Sequence, residues 1–107
     1  MDNLLTVTFE AHNDERNHHR RYSIRIGRDL LNDWTVTIGH GRTGHAGQET
    51  RFASPQADDI KTIINDRLGR RVTAPKRIGC VYRLASLDFV PSFDATEWLP
   101  ELLMDNF

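Results

Sequence analysis

At 107 residues, with 38% hydrophobic and 27% charged residues, the chain suits one soluble domain and is too short for two. The single cysteine, Cys80, excludes an internal disulfide framework, and no apolar run approaches the roughly 18 residues of a membrane span. The net charge of -1 conceals a strong asymmetry: all 14 lysines and arginines fall between Arg16 and Arg83, where the only acids are Asp29, Asp33, Glu49, Asp58, Asp59 and Asp66. The two flanks carry acids and no Lys or Arg. A basic centre between acidic ends points to a polyanion partner, the alternative being mixed charge placed at random. Met1-Asp2-Asn3 lacks the basic and apolar regions of a signal peptide, so a cytoplasmic protein is expected.

Leu5, Val7 and Phe9 alternate with Thr6, Thr8 and Glu10, the period-two pattern of a half-buried strand. The stretch from His12 to His19 is polar and reads as a turn. Tyr22, Ile24 and Ile26 mark a second strand, and Leu30-Leu31-Asn32-Asp33 connects it to a third, whose inward face is Trp34, Val36 and Ile38. Glycines 41, 44 and 47 then recur every third residue, with His40, Arg42 and His45 around them. Glycine supplies backbone angles and close approaches denied to other residues, so a shaped turn carrying cationic and imidazole groups is expected here. Glu49 to Ala53 follows as a weaker strand.

Ser54-Pro55 opens a helix predicted over 55–68, with serine as cap and proline in the first turn. Ala57, Ile60, Ile64 and Leu68 form its apolar face, and Asp58 and Asp59 suit the positive end of its dipole. Gly69 is placed just past its end, with Arg67, Arg70 and Arg71 around the carboxyl pole. Pro75 blocks continuation, and Ile78 to Leu84 reads as a fifth strand extending toward Phe89. The expected fold class is α+β, an antiparallel sheet of four to five strands with one long helix packed on it.

Residues 91–107 differ from the rest. Trp98, Leu99, Leu102, Leu103 and Phe107 recur at roughly helical spacing among Asp94, Glu97, Glu101 and Asp105. The chain therefore divides into a domain over 1–90 and an acidic amphipathic tail over 91–107. Either the tail docks as a short helix on the open face of the sheet, or it binds a protein partner or covers the basic centre.

Catalytic and metal chemistry find little support. His18 and His19 are adjacent and would point to opposite faces of a strand, and no ligand set has the paired spacing of structural zinc. Ser, His and Asp occur without a nucleophile elbow, and the glycine turn lacks the Gly-Lys-Ser/Thr ending of a phosphate loop. No cofactor is called for. Arg42 stands out, because a guanidinium can clamp a phosphate or carboxylate through two parallel bonds; an ion pair with Glu49 is its structural alternative. His40 could lie against a sugar or donate to a phosphate, or simply end a strand.

The run Gly41-Arg42-Thr43-Gly44-His45-Ala46-Gly47-Gln48 resembles the core of the WGR domain, Trp-Gly-Arg-x-Gly-x-x-Gly-Gln. Arg16-Asn17-His18-His19-Arg20-Arg21-Tyr22-Ser23-Ile24 resembles the family's strand-opening segment, and Lys76-Arg77-Ile78-Gly79-Cys80 its later Lys-x-x-Gly-Tyr element. Trp34 precedes the motif, and a helix near Ser54-Pro55-Gln56-Ala57 follows it. The resemblance spans roughly residues 4–88, and the chain resembles the short bacterial WGR proteins. His40 replaces the signature tryptophan, which in the WGR domains of poly(ADP-ribose) polymerases packs on the sugar at a DNA end; Cys80 replaces the late aromatic. The resemblance implies a non-catalytic module that binds nucleic acid, DNA ends or breaks above all. It assigns His40, beside Gly41, to a terminal sugar or phosphate, Arg42 to a phosphate or interdomain contact, and Asn17, Arg20, Lys76 and Arg77 to the backbone. A WGR fold that has lost DNA binding and serves protein interaction is the alternative.

Overall fold

The computed structural model describes residues 2–73 and 81–107. Pro75, Lys76, Arg77, Ile78, Gly79 and Cys80 lie outside the described residues, so the first half of the expected fifth strand does too. Five strands, β1 (Asp2–Asn13), β2 (His18–Arg28), β3 (Trp34–Arg42), β4 (Gln48–Ser54) and β5 (Arg83–Phe89), form one antiparallel sheet in the order β4-β3-β2-β1-β5. A single long helix, α1 (Ala57–Val72), packs on one face of it. The α+β architecture is as expected.

Register explains which face is covered. Val7 lies opposite Ile24, and Ile24 opposite Ile38, so the alternating apolar residues of three strands form one continuous layer. Ile60, Ile64 and Leu68 of α1 press onto it and are fully buried. Each such side chain contributes about 1.5–3 kcal/mol on leaving water. The opposite face repeats the pattern in polar form: Thr8 lies across from Ser23, and Ser23 from Gly39.

The first hairpin is longer than its polar sequence suggests. β1 runs on to Asn13 and β2 starts at His18, leaving only Asp14 to Asn17 as the turn. The buried Ala11 holds this end, and His12 pairs with His19 across it. Asn17 takes the left-handed conformation, φ 52°, which asparagine tolerates better than most residues.

Both helix ends also differ from expectation. Pro55 precedes the helix, and Gln56 is the N-cap without a side-chain cap bond. Ser54 Oγ instead accepts from the Gln56 N–H at 3.0 Å and donates to the Asp59 carboxylate at 2.6 Å, fixing the entry from two residues upstream. At the other end the helix passes through Gly69 to Val72. An internal glycine costs about 1 kcal/mol relative to alanine. Packing offsets it: the Arg71 guanidinium lies 4.2 Å from the centre of the Tyr22 ring and 5.9 Å from that of Tyr82.

The acidic C-terminal segment forms two short helical turns, α2 (Ala95–Trp98) and α3 (Glu101–Met104), separated by Pro100. Asp94 caps α2, accepting from the Thr96 N–H and hydroxyl. The Thr96 side-chain bond leads the causes that hold the Asp94 carboxyl below its ordinary range. The segment docks on the same face as α1, not on the polar face. α1 lies over β3 and β4, which leaves the β1 and β5 part of the apolar layer to be covered by something else. Trp98 and Leu99, only 3% and 4% exposed, enter the core, and Phe107 meets Phe9 with ring centres 4.5 Å apart. Trp98 also packs on Trp34 at 4.8 Å, while Lys61 pairs with Glu97. Among the described residues no helix is long and apolar enough to cross a membrane.

Candidate nucleic-acid interface

The glycine turn joins β3 to β4 by an unusually close approach. A Cβ on Gly41 would come within 2.9 Å of Gly47 Cα, and one on Gly47 would overlap the His40 carbonyl oxygen. Only hydrogen fits at these two facing positions. The His45 N–H closes the turn on the Arg42 carbonyl at 3.1 Å, and the Thr43 N–H donates 2.9 Å to the His19 carbonyl. The second of these bonds ties the turn to the first hairpin.

Arg42 strengthens that tie. Its Nη1 donates to the Asn17 backbone carbonyl and its Nη2 to Asn17 Oδ1, each at 3.0 Å. The guanidinium fork thus grips the turn of the first hairpin, and not Glu49, which approaches Arg25 at 3.8 Å. Arg20 lies directly opposite Arg42 in the β2–β3 register, and His40 opposite Tyr22. Arg20 and His40 are exposed, and among the described residues neither side chain has a hydrogen-bond or ion-pair partner. Five of the expected site residues, Asn17, Arg20, His40, Gly41 and Arg42, therefore gather at one end of the sheet. Lys76 and Arg77 fall outside the described residues.

Arg71 joins this end from α1, stacked on Tyr22. Its place in the helical period, seven residues after Ile64 on the apolar face, is the signal that could have nominated it. Burial pushes the Tyr22 hydroxyl above its ordinary pKa, and the Arg71 and Arg67 charges pull only partly against it. The hydroxyl is a neutral wall under the cationic surface.

Sequence patterning also missed an imidazole pair on the neighbouring hairpin. His12 Nδ1 and His19 Nδ1 are 2.8 Å apart, one ring necessarily donating and the other accepting. Glu10 holds His12 Nε2 at 2.9 Å, and Asp14 approaches His19 Nε2 at 3.6 Å. The partner of His19 lies seven residues upstream across the turn, not at the adjacent His18. Among the described residues no group of three or more His, Cys, Asp or Glu is arranged to hold a metal ion.

A model of the WGR domain matches residues 5–69. The matched span begins at the first core residue of β1, includes the whole glycine turn and its Arg42–Asn17 clasp, and ends within α1. No curated protein and no solved structure matches the chain. With more than half of its residues covered by that one model, the chain belongs to the WGR domain family, whose members are non-catalytic modules of nucleic-acid-binding type.

Proposed function

We propose that this WGR domain binds nucleic acid without catalysis, DNA ends or breaks above all, through the basic end of the sheet around His40, Gly41 and Arg42. The observation that carries this is the pair of exposed, unengaged cationic or ionisable side chains, Arg20 and His40, flanking the clasped Arg42. Arg42 holds Asn17 and the turn in place and presents its remaining N–H donors to a phosphate. Arg20 neutralises the backbone, a role the family resemblance also assigns to Lys76 and Arg77. His40 meets a terminal sugar or phosphate with less stacking area than the family's tryptophan offers. Base stacking on an aromatic residue is worth about 1–3 kcal/mol, so a weaker end-binder than its tryptophan-bearing relatives is expected.

Titration of labelled blunt, nicked and single-stranded oligonucleotides at two salt concentrations tests the proposal. Affinity should fall steeply with salt, with a logarithmic slope of about 0.9 per phosphate neutralised on duplex DNA. Absence of binding even at low salt overturns it and leaves the protein-interaction role. That second role would need a surface other than Trp98 and Leu99, since the domain's own core covers both.

A further inference from the structure

β5 ends the sheet, with β1 on one side and no strand beyond it among the described residues. Edge strands are usually blunted by charge, proline or a bulge, because a free edge invites pairing with another chain. β5 does carry a bulge: Thr8 pairs with Ser86 but Phe9 with Leu84, which leaves Ala85 as the extra residue. The bulge has an unusual effect on the strand's own symmetry. In a regular strand Arg83 and Asp88, five apart, would point to opposite faces. Here Arg83 lies opposite Glu10 and Asp88 opposite Thr6, so both belong to the polar face. Leu84 and Leu87, opposite Phe9 and Val7, both belong to the apolar face.

We propose that β5 pairs antiparallel with β5 of a second copy of this chain, about a two-fold axis passing between Ala85 and Ser86. A two-fold axis perpendicular to a sheet requires facing residues to share a face. The bulge satisfies that condition in one register, in which Arg83 faces Asp88 of the second copy and Leu84 faces its Leu87. The segment Arg83-Leu84-Ala85-Ser86-Leu87-Asp88 is thus self-complementary: basic, apolar, small, then small, apolar, acidic. Among the described residues neither Arg83 nor Asp88 is held in an ion pair of its own chain, so both charges are available.

The apolar side of the same edge is incompletely covered. Leu84 and Phe89 are 44% and 48% exposed. Leu84 and Leu87 also line, with Leu99 and Met104, an apolar hollow of about 240 Å³ between β5 and the C-terminal turns. Pairing would join two five-stranded sheets into one and bring these patches together across the axis. The proposal rests on the strand edge alone and stands apart from nucleic-acid binding.

Sedimentation of the full chain over a range of concentrations is the test, with variants Arg83→Glu and Asp88→Arg. The wild type should dimerise reversibly. Each single variant sets like charges opposite at two symmetric places and should weaken the dimer by at least about tenfold. The double charge swap should restore it. An equimolar mixture of the two single variants should also associate, because each chain then meets the opposite charge at both positions; that result also excludes misfolding as the cause of their separation. A wild type that stays monomeric at its highest soluble concentration overturns the proposal, as does a dimer indifferent to both single substitutions or a mixture that fails to associate.

Discussion

Arg42 donates from both terminal nitrogens to one residue, Asn17, which lies 25 positions earlier at the tip of another hairpin. One bond reaches the backbone of a left-handed residue and the other its side chain, so the clasp fixes both the conformation and the position of that tip. The signature arginine of the motif is therefore structural as well as cationic. Arg42→Ala should destabilise the domain by about 1.5 kcal/mol, the low end for charged hydrogen bonds because the site is exposed. Arg42→Lys should recover little of it, since a single ammonium cannot reproduce the planar fork. Urea unfolding of both variants measures this, and full recovery by lysine would show that the charge alone matters.

The two faces of the glycine turn should respond differently to alanine. At Gly47 a Cβ overlaps the His40 carbonyl oxygen, so Gly47→Ala must force the strands apart at a cost of about 3 kcal/mol. At Gly44, φ is +83° but nothing lies within 4 Å, so Gly44→Ala should cost only the left-handed strain of about 1 kcal/mol. Thermal midpoints of the pair would reveal the difference, and equal losses would contradict the close approach.

Binding should separate the roles of the neighbouring groups. Arg20→Ala should weaken affinity for every oligonucleotide and lower the salt slope by about one. His40→Trp should strengthen binding to DNA ends in particular, by restoring a stacking surface. Anisotropy of labelled blunt and circular duplexes distinguishes the two outcomes. A His40→Trp variant that binds ends no better than wild type would remove position 40 from the contact.

Tyr22 makes stability fall on the alkaline side. Its folded pKa is raised above the ordinary 10.0, so the unfolded chain releases the phenolic proton first as the pH climbs. The stabilising effect of the buried neutral phenol is therefore fully present below about pH 10 and is lost as pH rises through the higher folded value. Unfolding midpoints followed from neutral to strongly alkaline pH should decline in this window, and Tyr22→Phe should flatten the decline. An unchanged slope in the variant would assign the loss to other groups.

The family match ends at Gly69, yet the core continues to Leu99. Trp98→Ala should therefore cost about 3–5 kcal/mol, as for a large core aromatic, although it lies in the segment the sequence marks as a tail. Denaturant unfolding checks it; a loss under 1 kcal/mol would return residues 91–107 to the status of an appendage.

The strands and helix were legible because their patterns are local. Val7, Ile24 and Ile38 announce a buried face through alternation, and Ile60, Ile64 and Leu68 through helical spacing. What escaped depends on partners distant in sequence. The run His12 to His19 reads as a turn, but that the His12 and His19 rings meet across it needs the register of β1 on β2. Gly69 is a normal stop signal, overridden because Arg71 gains two tyrosine rings by continuing the helix. In the site, the family motif located Arg42, but its bonding to Asn17 instead of Glu49 followed only from three-dimensional proximity.

The placement of the two tryptophans has a practical consequence. Trp34 and Trp98 are the only indoles in the chain, and they pack against each other, tilted by 38°, at the end of β3 remote from the glycine turn. Eight strand steps separate Trp34 from Arg42, roughly 26 Å at the usual rise per residue. The chain's intrinsic emission is thus a built-in gauge of whether the C-terminal turns are seated, quenched or shifted as Trp98 leaves Trp34. It should stay silent when a ligand settles on the far end, so one optical signal can follow the seating of the segment independently of occupancy at the turn.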